Sequence, residues 1–280
     1  LSYVGKKYTI WREYGASLMV QQQETDLAHN FYLGLAPNYQ QGQPSDRSIR
    51  RVFSQRFSPL RYNLNEVEKA HQLLGGRMLI GQNATEYQLK QHIEDAQILH
   101  FATHTYIDDS LATFSGLVME EDVPKDEDGF LNAFEVYRMN LGARLAVLSA
   151  CQTGYGNWQR GEGIMSLARA FKYAGCENIV MSLWQANDEA TAEIMERFFE
   201  LIRAGVPQAE ALQRAKFDYL QQQDAHTYPH YWGTFVLVGN NEPVQVPLFA
   251  WSAERWYLLL GGIGVLLMGL LYFRWTRRKR

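Results

Sequence analysis

The sequence predicts an α/β fold, a mostly parallel sheet with helices on both faces, followed by one C-terminal transmembrane helix. Three observations carry this. Short apolar runs bounded by turn residues recur at Ile98 to Thr103, Leu145 to Ala150, Ile179 to Trp184 and Phe235 to Val238, as strands buried on both faces do. Helical periodicities lie between several of these runs, and strand-helix-strand order favours parallel pairing. Near the end, the 18 residues Trp256 to Phe273 contain no charge.

Taken in chain order, Tyr8 to Trp11 and Phe31 to Leu35 read as strands, with a polar loop from Gln40 to Asp46. Glu66 to Leu74 and Thr85 to Ile93 read as helices. After the strand ending in Ala150, a helix from Gly163 to Ala174 puts Ile164, Leu167, Ala168 and Phe171 on one face and stops at Gly175. The next helix starts at an Asn187-Asp188 cap, carries Ile194, Met195, Phe198, Phe199 and Ile202 at helical spacing, and ends at Gly205. A further helix has Pro207 at its first turn, with Ala211, Leu212, Ala215 and Tyr219 inward. These stripes are core, not sites.

The domain is expected over 1–240, a linker with Pro243 and Pro247 over 241–254, the membrane helix over 255–274 and a basic tail over 275–280. Eighteen helical residues span roughly 27 Å, close to a hydrocarbon core of about 30 Å. Trp251, Trp256, Tyr257, Tyr272 and Trp275 flank the segment as interfacial aromatics do. The positive-inside tendency then gives a single-pass membrane protein with a cytoplasmic tail and the main domain on the non-cytoplasmic side. Leu1 stands where a Met or leader is absent, which reads as the C-terminal piece of a longer protein.

Apolar residues make up 46% of the chain, enough for a packed core. The net charge of −3 hides an asymmetry: Arg274, Arg277, Arg278, Lys279 and Arg280 close the chain, leaving 22 Lys and Arg against 30 Asp and Glu before them. An acidic body argues against nucleic-acid binding, which needs clustered cations.

His104 and Cys151 each follow one of the apolar runs. In open parallel sheets the crevice lies outside the carboxyl ends of the strands, so both emerge at one rim. A thiol beside an imidazole is the arrangement for nucleophilic attack on a carbonyl carbon. Gly154 and Gly156 let the backbone turn closely enough to offer N–H groups to an oxyanion. A Cys151–Cys176 bridge is the alternative use of the only two cysteines and would silence the thiol. No metal is expected: His100 with His104 and His226 with His230 form HxxxH pairs, but no further ligand completes a tetrahedral set. The glycines at 156, 161 and 163 lack the Lys and Ser/Thr of a phosphate loop, and no G-x-S-x-G elbow is present.

The segments HFATHT at 100–105, LSACQTGYGNWQRGEGIMSLARAFKYAGCENIVMSLWQANDEAT at 148–191 and HYWGTFVLVG at 230–239 resemble successive signatures of CHAT domains, in the caspase-like cysteine peptidase clan. PLRYNLNEVEKAHQLL at 59–74 and GQNATEYQLKQHIEDAQILH at 81–100 extend the likeness. The resemblance implies a caspase-like three-layer αβα sandwich and an endopeptidase without cofactor. His104 matches the family's catalytic histidine and Cys151 its nucleophile; the oxyanion falls to backbone N–H groups at Thr105 and Cys151. Gln152, Gly154, Glu162 and Asp188 are candidates for the substrate pocket, Asp188 doubling as a helix cap. The implied partners are a protein or peptide substrate, a regulatory protein recruited through an upstream region where such domains often carry tetratricopeptide repeats, and the membrane. Three positions depart from the family pattern. Thr105 replaces a glycine, Gln152 a glutamate, and Ser149 stands where related metacaspases carry an aspartate that reads a basic residue, so a preference for Lys or Arg is not implied. The other reading is a docking module whose dyad is present but poorly aligned.

Overall fold

The computed structural model describes residues 9, 10, 12, 30–39, 59–108, 111–120, 127–149, 151–152, 162–222 and 228–247. The chain divides into a compact unit from Leu1 to Val246 and a second unit from Pro247 to Arg280.

In the first unit, β1 (Asn30–Ala36), β2 (Arg77–Ile80), β3 (Ala96–Phe101), β7 (Leu145–Leu148), β9 (Ile179–Ser182) and β10 (Phe235–Val238) form a six-stranded sheet ordered β10-β9-β7-β3-β1-β2. All neighbours run parallel except β10 on β9. The exception has a cause: two long helices, α5 (Asp188–Arg203) and α6 (Gln208–Gln222), lie between β9 and β10. One crossing helix returns the chain to the start of a sheet, and a second brings it back to the rim it left, so the next strand runs in reverse.

Alternation along the strands sorts the core into two faces. Leu99, Phe101, Ala146, Leu148, Ile179 and Met181 belong to one cluster with Leu167 and Phe171 of α4 (Glu162–Tyr173). Ile98, Leu145, Val147 and Val180 belong to the other, with Ala70 and Leu74 of α1 (Asn63–Leu74) and Ile194, Phe198 and Phe199 of α5. Burying a side chain such as Phe198 contributes about 2 to 3 kcal/mol, so these stripes set which face each helix presents. Asn187 caps α5, its Oδ1 accepting from Ala190 N–H at 3.0 Å. Asp188, one residue inside, uses its Oδ2 for Arg61 N–H at 2.7 Å and Tyr62 N–H at 3.0 Å, tying the entrance of α1 to the start of α5.

A second sheet, ordered β6-β5-β4-β8, comprises β4 (His104–Tyr106), β5 (Gly116–Val118), β6 (Phe130–Asn132) and β8 (Cys151–Gln152). Its strands are two or three residues long, too short for a hydrophobic period to announce them. The short helices α2 (Glu86–Lys90), α3 (Ala133–Val136) and α7 (Pro229–Trp232) complete the elements. Residues beyond β10 continue to pack on the unit: Val244 is buried, and Asn241 Oδ1 accepts from Ala209 N–H at 2.8 Å. The expected strand at Tyr8 to Trp11 is described only in part, and Arg12 bridges the edge of β10 at Val238.

The transmembrane part of the expected fold class requires correction, together with the localisation built on it. Among the described residues no helix is long and apolar enough to cross a membrane. Lack of charge over 18 residues meets one condition for a span, and a helix of that length is the other. Residues 255–274 and the basic tail lie outside the described residues, so neither the span nor a sidedness is carried forward.

Candidate active site

The site is built by two strands that change sheets in step. β3 and β7 are parallel neighbours with Ile98 paired to Leu145 and Phe101 to Leu148. The segments that follow them, β4 and β8, belong to the small sheet and are again parallel neighbours, with His104 paired to Cys151 and Thr105 to Gln152. The offset between partners is 47 residues in both sheets, so the register of the large sheet is handed intact to the small one. Between β3 and β4, Ala102 N–H bonds to Leu35 carbonyl at 2.9 Å, and Thr103 hydroxyl to Val118 carbonyl. Sequence reading placed both residues at the ends of the large strands; the structure places them in a second sheet that begins three residues later.

His104 is buried, and its ring lies 4.8 Å from that of Tyr39, centroid to centroid, at 43°. Thr105 is buried between Leu117 on β5 and Gln152 on β8. Among the described residues Tyr39 is the only non-glycine at positive φ, so the β-branched side chain of Thr105 costs no backbone strain. Of the pocket candidates, Gln152 sits beside Thr105 and Glu162 opens α4, whereas Gly154 lies outside the described residues. Asp188 holds the backbone at residues 61 and 62, an anchoring role that its sequence position at a helix start does not disclose.

His100 is spent elsewhere. On the face opposite Leu99 its Nδ1 meets Tyr32 hydroxyl at 2.8 Å and its Nε2 meets Glu66 Oε1 at 2.7 Å, all three side chains being buried. Ser149 hydroxyl donates to Phe101 carbonyl at 3.2 Å and lies 3.4 Å from the same Nε2. Burial, with Glu66 nearby, pushes the Tyr32 hydroxyl well above its ordinary value. His226 lies outside the described residues, and His230 contributes its carbonyl to Trp184 Nε1–H at 3.1 Å. Cys176 is a free, buried thiol whose pKa burial pushes up, so it is inert packing.

The carboxylates of Glu86, Glu127 and Glu135 converge closely enough to hold a cation. Lys90 ammonium already fills that part, at 2.8, 3.0 and 2.8 Å from the three in turn.

Residues 13–240 match the CHAT domain. The chain belongs to the CHAT domain family. Relatives outside this chain include Tetratricopeptide repeat protein 28 of Mus musculus, 23% identical over 222 residues, and its counterpart in Homo sapiens, 24% identical over 222 residues. Each alignment covers 68% of this chain but 9% of the relative, so the CHAT domain is a small part of those proteins. Among solved structures, the Arg-specific cysteine proteinase gingipain R superposes with a TM-score of 0.50 at 11% identity, covering 81% of this chain and 51% of gingipain R. At that identity the likeness concerns the fold: a mixed α/β core with a mostly parallel sheet is common to the CHAT domain and this proteinase. The residue that sequence reading of the CHAT domain missed is Tyr39. It lies 65 positions before His104 in a loop after β1, and no local pattern links the two.

Proposed function

We propose that the chain is a cysteine endopeptidase in which Cys151 is the nucleophile and His104 its base. The register of β4 and β8 is the observation that carries the reading. Residues paired across neighbouring strands lie about 5 Å apart and share a face of the sheet, which suits a thiol and an imidazole that must exchange a proton. Membership of the CHAT domain family and the core shared with gingipain R are consistent with it. His104 takes the thiol proton, the thiolate adds to the substrate carbonyl, and backbone N–H groups near residues 105 and 151 receive the oxyanion. His104 then returns the proton to the leaving amine, and water releases the acyl group. Gln152 and the start of α4 at Glu162 border the substrate, while Asp188 keeps the neighbouring α1 entrance in place. A protein partner engaging a region upstream of the CHAT domain gates the activity.

One observation favours a second reading, a non-catalytic docking module. Thr105 has strands on both sides, which leaves its N–H fewer opportunities to face a substrate oxygen. Cleavage by the full-length protein in the presence of its binding partners separates the two. Cys151→Ala and His104→Ala are each expected to lower the cleavage rate by about 1,000-fold or more. Cleavage undiminished in Cys151→Ala would sink the peptidase reading and leave the docking module.

A further inference from the structure

The loop after β1 is shaped by Tyr39, whose φ of 48° lies in the left-handed region that side chains other than glycine seldom adopt. A backbone so held requires compensation, and Glu120 supplies it: its Oε1 accepts from Asn38 N–H at 2.8 Å and from Tyr39 N–H at 2.7 Å. Glu120 is itself placed by a bridge to Thr85. The result aims the Tyr39 side chain at the start of β4. Its hydroxyl accepts from His104 N–H at 2.9 Å and donates to Val118 carbonyl at 2.9 Å, with Thr103 hydroxyl in contact as well. One oxygen therefore joins the bend after β3, the first residue of β4 and the end of β5. Burial pushes this hydroxyl upward, so it stays a neutral O–H able to accept and donate at once. The ring adds a second constraint through its 4.8 Å contact with the His104 imidazole.

We propose that Tyr39 is the positioning residue of the His104 base, its hydroxyl fixing the main chain at His104 and its ring fixing one side of the imidazole. The role rests on the dyad reading above. A displacement of about 1 Å at a catalytic group is enough to lose about 100-fold in rate. An aromatic face also favours an adjacent cation, and hence the imidazolium that accompanies a thiolate. Glu120 is the charged group that acts on Tyr39, and it engages the backbone of the loop.

The test is the rate at which iodoacetamide alkylates Cys151 in the native chain from about pH 5 to about pH 10, with sites assigned by peptide mass. In the wild type the midpoint is expected below the ordinary thiol value of about 8.5, and His104→Ala is expected to move it there. Tyr39→Leu is expected to raise the midpoint by about one unit, and Tyr39→Phe, which restores the ring without the hydroxyl, by less. Protection of Cys176 reports that each variant is folded; should Tyr39→Leu lose that protection, Tyr39→Phe alone decides. If folded Tyr39 variants keep the wild-type profile while His104→Ala shifts it, the positioning role is overturned and the dyad stands. If His104→Ala leaves the profile unmoved, the dyad falls and the role of Tyr39 with it.

Discussion

Around Lys90, three carboxylates share one ammonium, and the most enclosed of them bears the cost. Glu86 is buried, and burial raises its pKa from 4.5 to about 8 against the pull of Lys90. Burial also acts upward on Glu135, but hydrogen bonds from Lys90 and from Asn132 N–H outweigh it and hold that group below its ordinary value. A folded-state pKa raised above the unfolded one means that the native protein binds the extra proton, so Glu86 withdraws stability as pH rises from about 4.5 to about 8. Glu86→Gln, which resembles the protonated acid, is therefore expected to gain on the wild type across that window. The advantage should reach a few degrees in Tm near pH 8 and vanish near pH 4. A constant difference across the range would contradict the assignment. The same scale shows why His100 and His104 part company. They sit four apart in the sequence, yet the change of sheet after Phe101 sends His104 to a neighbouring strand and leaves His100 with Tyr32 and Glu66.

At the scale of elements, the long helices were legible from a hydrophobic period and a punctuating residue, and five strands of the large sheet from short apolar runs, whereas β2, with Arg77 exposed at its start, was not. Phe31 to Leu35 falls within β1, and the α5 stripe of Ile194, Met195, Phe198, Phe199 and Ile202 is buried throughout. Gly175 ends the α4 turn for a reason stronger than helix propensity. Its φ is 112°, and a Cβ there would collide with the carbonyl oxygen of Leu141. Gly175→Ala is accordingly expected to cost about 2 to 4 kcal/mol, seen as a lower urea midpoint with unchanged slope. A cost within about 0.5 kcal/mol would show that the turn tolerates a side chain. The small sheet escaped sequence reading for the opposite reason. Strands of two or three residues show no period, and β4 and β8 look like the frayed ends of the runs before them.

For the whole molecule, the large sheet of the first unit lies between the two larger cores found among the described residues. Ile179 lies in the cluster under α4 and Ile194 in the cluster under α5. Ile179→Val and Ile194→Val are each expected to cost about 1 kcal/mol, and the double variant their sum to within about 0.5 kcal/mol. Strong coupling between them would mean that one core spans the sheet. Fusion of the two layers at a single rim is also what gives the CHAT domain its candidate site, since β3 and β7 leave the large sheet together.

What the sequence determined alone was whatever depends on neighbours along the chain. Periodicity and end signals gave the class of fold and the long elements, and the ordered motifs gave the family. Uncharged length also suggested a membrane helix, which a segment's composition cannot establish without the helix itself. The tertiary structure decided what depends on residues far apart: the antiparallel last strand, the second sheet, the pairing of His104 with Cys151, and Tyr39 against His104. Hydrophobic patterning records whether a position is buried, but not which distant position it meets, and chemistry at a site depends on the meeting.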